Sequence, residues 1–260
     1  MARFCSLFSG STGNSTYIGN NGKGILVDVG VSAKRLTEAL SQRNIPLSSI
    51  EGIFITHLHS DHICGLSTLL KKNDIPLYMS EKTAEGIGGC VKLPENQRIV
   101  VIDRHFQTDF FGVERFDTSH DSEGSSGYTF DTGEIKIAVC TDLGVVTDEV
   151  RTAITGCDLV MLESNHDTEM LKKGPYPPLL KIRVSGDKGH LSNASASAEL
   201  PNLLKAGAKQ IVLAHLSREN NTPEKALSSA ESSLADIMAK RGVDYYIEAA
   251  LAEGGVMIGL

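Results

Sequence analysis

At 260 residues, with 41% apolar side chains, the chain is long enough to bury a full core and is expected to form a single domain over 1–260, since neither an internal repeat nor a low-complexity tract interrupts it. A formal charge of −7, with no Lys/Arg block, excludes coating of bulk nucleic acid and leaves a local patch or metal ions to hold any polyanion. Five cysteines without a CxxC pair suit reduced thiols in a cytoplasm, and the start Met-Ala-Arg-Phe-Cys suggests neither signal peptide nor membrane span.

In chain order, Ala2 to Phe8 and Ser15 to Ile18 are rich in β-formers and flank a Gly-rich turn holding Ser11, Gly13 and Asn14. That turn either offers backbone N–H groups to a phosphate or simply closes a hairpin. The apolar run Gly24 to Val27 ends in Asp28, and an amphipathic helix is predicted over Ala33 to Arg43. A second apolar run, Gly52 to Ile55, leads into Thr56-His57. After it, Ile63 to Lys72 places Ile63, Leu66, Leu69 and Leu70 on one helical side, with Asp61 where an N-cap or first-turn acid stands. Between Glu81 and Gln107 the glycines 86, 88 and 89 weaken any helix assignment.

Gly112 to Thr118 and Ser126 to Phe130 are again β-rich. Three more apolar runs follow: Ile135 to Cys140 into Thr141-Asp142, Leu159 to Leu162 into Glu163, and Ile211 to Ala214 into His215. Helices are predicted over Ala194 to Lys205 and Pro223 to Arg241. Runs so short and so apolar suit strands buried on both faces, and their repeated ending in a ligand-type residue predicts one catalytic edge. Two sheets with helices outside summarise the pattern.

The densest chemistry is Thr-His-Leu-His-Ser-Asp-His at 56–62, four metal-type ligands in six residues: His57, His59, Asp61 and His62. Alternate histidines point the same way on an extended segment, so His57 and His59 can grip one ion while Asp61 and His62, at the start of a helix, reach a second. Without a cation these groups would be desolvated against one another at a cost. His120, Asp142 and His215 are weaker signals singly, since Asp142 could equally cap a helix or turn the chain. Beside the cluster they become ligand candidates.

This ordered set, with Asp28 in Leu-Val-Asp-Val-Gly ahead of it, resembles the motifs of the metallo-β-lactamase superfamily over nearly the whole chain. Within it, the YycJ/WalJ-like subgroup is matched by Ser-Leu-Phe-Ser-Gly-Ser-Thr-Gly-Asn-Ser (6–15), Glu-Ser-Asn-His-Asp (163–167), Gly-Pro-Tyr-Pro (174–177), Gly-His-Leu-Ser-Asn (189–193) and His-Leu-Ser-Arg-Glu-Asn-Asn (215–221). The resemblance implies an α/β fold, the four-layer αββα sandwich, with two divalent metal ions at one sheet edge. His57, His59 and His120 would hold one ion, Asp61, His62 and His215 the other, and Asp142 would bridge them. A hydroxide between the ions would be the nucleophile, with Asp61 orienting it, and Asp28 would support the ligands from behind. Histidine-rich sites favour zinc, while the mixed carboxylate set also accepts manganese or iron.

The Gly-His-Leu-Ser element also resembles one in ribonuclease relatives of the superfamily, which makes His190 the general-acid candidate; the contrasting reading is a helix-initiating histidine beside an N-cap Ser192. Asn14, His166 and Ser192 are candidate substrate contacts, with His166 either meeting substrate or bracing the site. The spans from His120 to Asp142 and from Asp142 to His215 leave no room for the long arm or inserted domain of the larger nucleases. Lys172, Lys173, Lys181, Arg183 and Lys188 form the local basic patch, either a nucleic-acid grip or a solvated surface. The resemblance implies a phosphodiesterase acting on nucleic acid, DNA before RNA, as a 5′-to-3′ exonuclease. The alternatives are an ester, thioester or cyclic-phosphate hydrolase, and, from another class, a binding module that keeps metal only for stability.

Overall fold

The computed structural model describes residues 2–255 and 257–260. Its first half carries β1 (Arg3–Phe8), β2 (Ser15–Asn20), β3 (Lys23–Val27), α1 (Ala33–Ser41), β4 (Ile50–Phe54), α2 (Ser60–Ile63), α3 (Leu66–Leu70), β5 (Leu77–Met79), α4 (Glu81–Cys90), β6 (Ile99–Val101), β7 (His105–Gln107) and β8 (Gly112–Asp117). The second half carries β9 (Ser126–Asp131), β10 (Lys136–Cys140), α5 (Asp148–Ile154), β11 (Leu159–Glu163), α6 (Thr168–Lys173), α7 (Pro178–Ser185), α8 (Asn193–Lys205), β12 (Gln210–Ala214), α9 (Pro223–Ala235), β13 (Tyr246–Ala249) and β14 (Met257–Gly259).

The strands form two sheets, in the orders β14-β1-β2-β3-β4-β5-β6 and β13-β12-β11-β10-β9-β8-β7. Both are mixed. The hairpin pairs β1–β2 and β2–β3 are antiparallel, whereas β3 through β6 run parallel. In the other sheet β9 is antiparallel to β10, and β10 through β13 run parallel. Parallel strands need crossovers, and the helices between them supply these. Their carboxyl ends then share a side, which in open α/β sheets is where ligands are bound.

The packing divides the described residues into two compact units. One runs to Arg115 and includes Ser122–Ser126 and the segment from Leu251; the other comprises Phe116–Asp121 and Gly127–Ala250. In the first, Leu36 and Leu40 of α1, Ile63 of α2, Leu66, Leu69 and Leu70 of α3, and Ile87 of α4 bury against Leu26, Ile53 and Leu77 of the sheet. In the second, Val150 and Ile154 of α5, Ala196, Leu200 and Leu203 of α8, and Ala226, Ala230 and Leu234 of α9 bury against Ala138, Val160, Leu162, Ile211 and Leu213. The alternate residues of these strands, such as Ile25, Phe54, Val139, Leu159 and Val212, are buried as well, as the unbroken apolar runs predict.

Several elements depart from the sequence expectation. The helix predicted over Ile63 to Lys72 is two short ones that break at Gly65, whose N–H bonds Val29 O at 2.9 Å instead of the carbonyl four residues back. That carbonyl, Asp61 O, accepts from Asn14 N at 2.8 Å. The helix expected to reach Arg241 stops at Ala235, because Met238 takes a left-handed conformation (φ 60°) and Ala239 N turns back to Leu234 O at 3.1 Å. The unassigned stretch after Glu81 begins with α4 in spite of its glycines. Ser80 caps it by accepting from Thr83 N, and both side chains also donate to Gly124 O.

Candidate metal centre

In the first unit, the chain leaves β4 extended, so Thr56 and His57 continue the strand direction before His59 caps α2 and Asp61 enters its first turn. His57 and His62 are fully buried, and their ring centroids lie 4.1 Å apart; those of His57 and His59 lie 4.6 Å apart. Asp28, just past β3, stands behind them in a left-handed conformation (φ 63°). Its carboxylate accepts from Thr56 N at 2.9 Å and Thr56 Oγ1 at 2.7 Å, and faces His62 Nδ1 at 2.7 Å. A carboxylate there selects the Nδ1–H tautomer and leaves Nε2 a lone pair for a cation. Burial pushes the Asp28 carboxyl up, and His62 and Thr56 offset this only in part.

Asn14 completes this cluster. Its amide Nδ2 lies 2.9 Å from His62 Nε2 and 3.3 Å from Asp61 Oδ2, and its oxygen accepts from Gly10 N at 2.8 Å. The side chain is therefore turned to the acceptor atoms a cation would take. Gly30 of the Leu-Val-Asp-Val-Gly motif lets this happen: a Cβ there would collide with the Asp61 carbonyl and the Asn14 amide.

In the second unit, three strand ends and one loop converge on Asp142. Asp142 follows β10 and His215 follows β12, both left-handed (φ 60° and 56°), the same conformation as Asp28. Three strand-end functional candidates thus share a conformation that costs an L-residue about 1 kcal/mol or more, a kind of strain that gathers at functional sites. Asp142 Oδ1 lies 3.8 Å from His120 Nε2, 3.6 Å from His215 Nε2 and 3.8 Å from His190 Nδ1. His120 Nδ1 is tied to Gly189 O at 3.1 Å, which leaves its Nε2 toward Asp142.

Glu163, the last residue of β11 and fully buried, has a role the sequence reading missed. Its Oε1 faces His190 Nδ1 and His215 Nδ1, each at 2.9 Å, while its Oε2 accepts from Leu143 N and Leu191 N, each at 3.1 Å. Four N–H groups saturate a carboxylate. Glu163 is therefore an orienting group for two imidazoles, although its oxygen lies close enough to Asp142, His190 and His215 to be grouped with them as a ligand. Burial pushes its carboxyl up, but the His190 and His215 imidazoles outweigh this and hold it well below the usual range. The available signal was that Leu159 to Leu162 ends in an acid just as the neighbouring runs end in ligands.

The remaining candidates have structural tasks in view. Ser192 caps α8, its Oγ accepting from Ser195 N at 3.0 Å. His166 is buried with its carbonyl bound to Asn193 N at 2.8 Å; among the described residues its Nδ1 has no hydrogen-bond partner, and burial lowers its pKa. Around it the Glu-Ser-Asn-His-Asp, Gly-His-Leu-Ser-Asn and Arg-Glu-Asn-Asn motifs interlock. Asn193 and Asn221 exchange amide bonds at 2.9 Å, Ser164 Oγ donates to Asn193 Oδ1 at 2.7 Å, and Asn221 Nδ2 also reaches Ser164 O at 2.8 Å. The bonds among Ser164, Asn193 and Asn221 fix the loops that present His190 and His215.

Buried imidazole nitrogens beside carboxylate oxygens are the donor set that divalent transition-metal ions take, and each unit carries one. The comparisons agree. The metallo-β-lactamase superfamily model matches residues 9–215. The exodeoxyribonuclease YycJ of Bacillus anthracis is 38% identical over 237 residues, covering 90% of this chain and 89% of that protein. The exodeoxyribonuclease WalJ of Streptococcus pneumoniae is 35% identical over 251 residues, 94% and 93% of the two chains. Among solved structures, the metallo-β-lactamase fold protein YhfI from Bacillus subtilis superposes with a TM-score of 0.75 at 14% identity, covering 98% and 99% of the two chains. By sequence and fold alike, this chain belongs to the metallo-β-lactamase superfamily.

Proposed function

We propose that the protein is a metal-dependent phosphodiesterase, an exodeoxyribonuclease that removes nucleotides from a DNA 5′ end in the cytoplasm. The observation that carries this reading is the Glu163–His190 pair beside Asp142: a half-open imidazole, held by a saturated carboxylate, next to a ligand-rich carboxylate. The DNA substrate is supported by the names of the relatives that match over most of the chain. The direction is inferred by analogy with the YycJ/WalJ-like subgroup alone. No helix among the described residues is long and apolar enough to cross a membrane.

In this reading His57, His59 and His120 would hold one divalent ion and Asp61, His62 and His215 a second, with Asp142 as a further ligand and zinc or manganese as the ions expected. When bound, the cations supply Lewis acidity and lower the pKa of water at the scissile phosphate. Asp61 orients the attacking water. Glu163 holds the His190 Nδ1 edge at 2.9 Å, which leaves Nε2 as the ring atom able to pass a proton to the leaving oxygen. Asn14 acts through Asp61 and His62, holding their acceptor atoms in place, while Ser192 and His166 shape the loop that carries His190 toward substrate.

The test is cleavage of end-labelled DNA with manganese or zinc. The wild type should shorten it, and His59→Ala and Asp142→Ala should abolish shortening. A metal-loaded, folded wild type inert on every DNA offered would retire the reading.

A further inference from the structure

Helix α7 is the one helix among the described residues that exposes two large apolar side chains. It starts at Pro178 after the Gly-Pro-Tyr-Pro turn and buries only Val184 fully, with Leu180 partly covered. Leu179 and Ile182, three apart and so on one helical face, are 81% and 67% exposed. Around this apolar pair stand Lys172 and Lys173 at the end of α6, Lys181 and Arg183 on α7 itself, and Lys188 just beyond it. Lys173 pairs with Glu169 and Arg183 with Asp121, but Lys172, Lys181 and Lys188 have no acidic partner among the described residues. In a chain of net charge −7 this is a local field for a polyanion.

The helix is also coupled to the proposed proton donor. His190 N bonds Val184 O at 2.9 Å, Gly189 N bonds Gly186 O at 2.8 Å, and Arg183 Nε reaches Asp121, the neighbour of His120, at 2.6 Å. Whatever α7 holds is therefore held at a fixed distance from His190.

We propose that α7 is a strand-separating wedge: Leu179 and Ile182 stack on the terminal base pair of duplex DNA while Lys172, Lys181 and Lys188 hold the phosphates, so that the 5′ strand is peeled toward His190. This rests on the nuclease reading and adds a strand-separating element at the edge of that same site. Single exposed apolar residues are ordinary on a protein surface. Two on one face, beside three lysines without an acidic partner, Lys181 bonded to the Lys172 carbonyl at 2.7 Å, and tied to the acid, match what inserted apolar side chains do when they unstack base steps. Lysines alone would bind single strands and duplexes without distinguishing the junction.

The experiment uses the full metal-loaded chain and a duplex with 2-aminopurine as its 5′-terminal base and cleavage-resistant phosphorothioate linkages behind it. Binding of the wild type should raise the fluorescence severalfold. Leu179→Ser/Ile182→Ser, both surface changes, should abolish the rise while duplex affinity by anisotropy falls less than about threefold, because the phosphate contacts persist. Lys172→Ala/Lys181→Ala should weaken single strands and duplex alike. A wild type that binds the duplex without a fluorescence rise, that does not bind it, or a double serine variant that still unstacks the end would overturn the wedge. The nuclease reading is judged separately, by metal-dependent shortening of single-stranded DNA, and can stand when the wedge falls.

Discussion

Each unit of the molecule props its histidines against a buried carboxylate, but the two carboxylates are held differently. Asp28 faces one imidazole and one threonine, and burial leaves its carboxyl raised. Glu163 faces two imidazoles and two backbone amides, and is held well below the usual range. An anion with four N–H donors keeps its charge without outside help; one with fewer donors gains more from a cation close by. The Glu163 frame should therefore serve catalysis in a form that excess metal does not replace, and the Asp28 frame should serve metal retention.

The largest expected effect is on the group Glu163 aims. His190→Ala should lower kcat on end-labelled DNA by about a thousandfold, the range of a lost general acid, with metal content unchanged. Loss of metal from that variant would make His190 a ligand instead. Glu163→Gln should follow, at about a hundredfold in kcat, because an amide has one acceptor oxygen where four N–H groups need two, so its NH2 would face either the two Nδ1–H groups or the two backbone N–H groups, and added metal should not rescue it. Asp28→Asn should be milder, about tenfold in metal affinity, with activity restored by excess manganese. If excess metal rescues Glu163→Gln and not Asp28→Asn, the distinction between the frames is reversed.

The smallest effect is on stability. Burial holds His166 below its ordinary histidine value, so the unfolded chain takes up a proton that the folded protein refuses. That contribution is full above the ordinary value and is lost as pH falls through it toward the folded pKa. The urea midpoint of metal-free protein should therefore drop as pH falls through the ordinary histidine range, and His166→Asn should shrink the drop. An unchanged pH dependence in the variant would show that His166 is not kept neutral by the fold.

The strand ends were legible because of a simple rule. An apolar run too short for a helix and too unbroken for a half-exposed strand must be buried on both faces, and the first polar residue after it emerges at the sheet edge. Asp28, Glu163 and His215 obey it directly, and His57 and Asp142 follow one residue later, after Thr56 and Thr141. What the pattern could not reveal was convergence. Glu163 gains its meaning from His190 and His215, which reach it from separate segments, and Asn14 from a backbone bond to Asp61. Helix α4 was hidden by its low intrinsic propensity, and it forms because Ser80 and Thr83 fasten its start to Gly124. Strands β5, β6 and β14, three residues each, carry too little periodicity to stand out.

The central claim is that bound divalent cations carry the cleavage of DNA by this chain. Metal content measured per chain by mass spectrometry, before and after chelation, alongside shortening of 5′-labelled DNA by the same samples, tests it most directly. The account expects two ions per chain, loss of shortening when they are stripped, and recovery when manganese or zinc is returned. Fewer than two ions in active protein, or shortening that survives chelation, would contradict it.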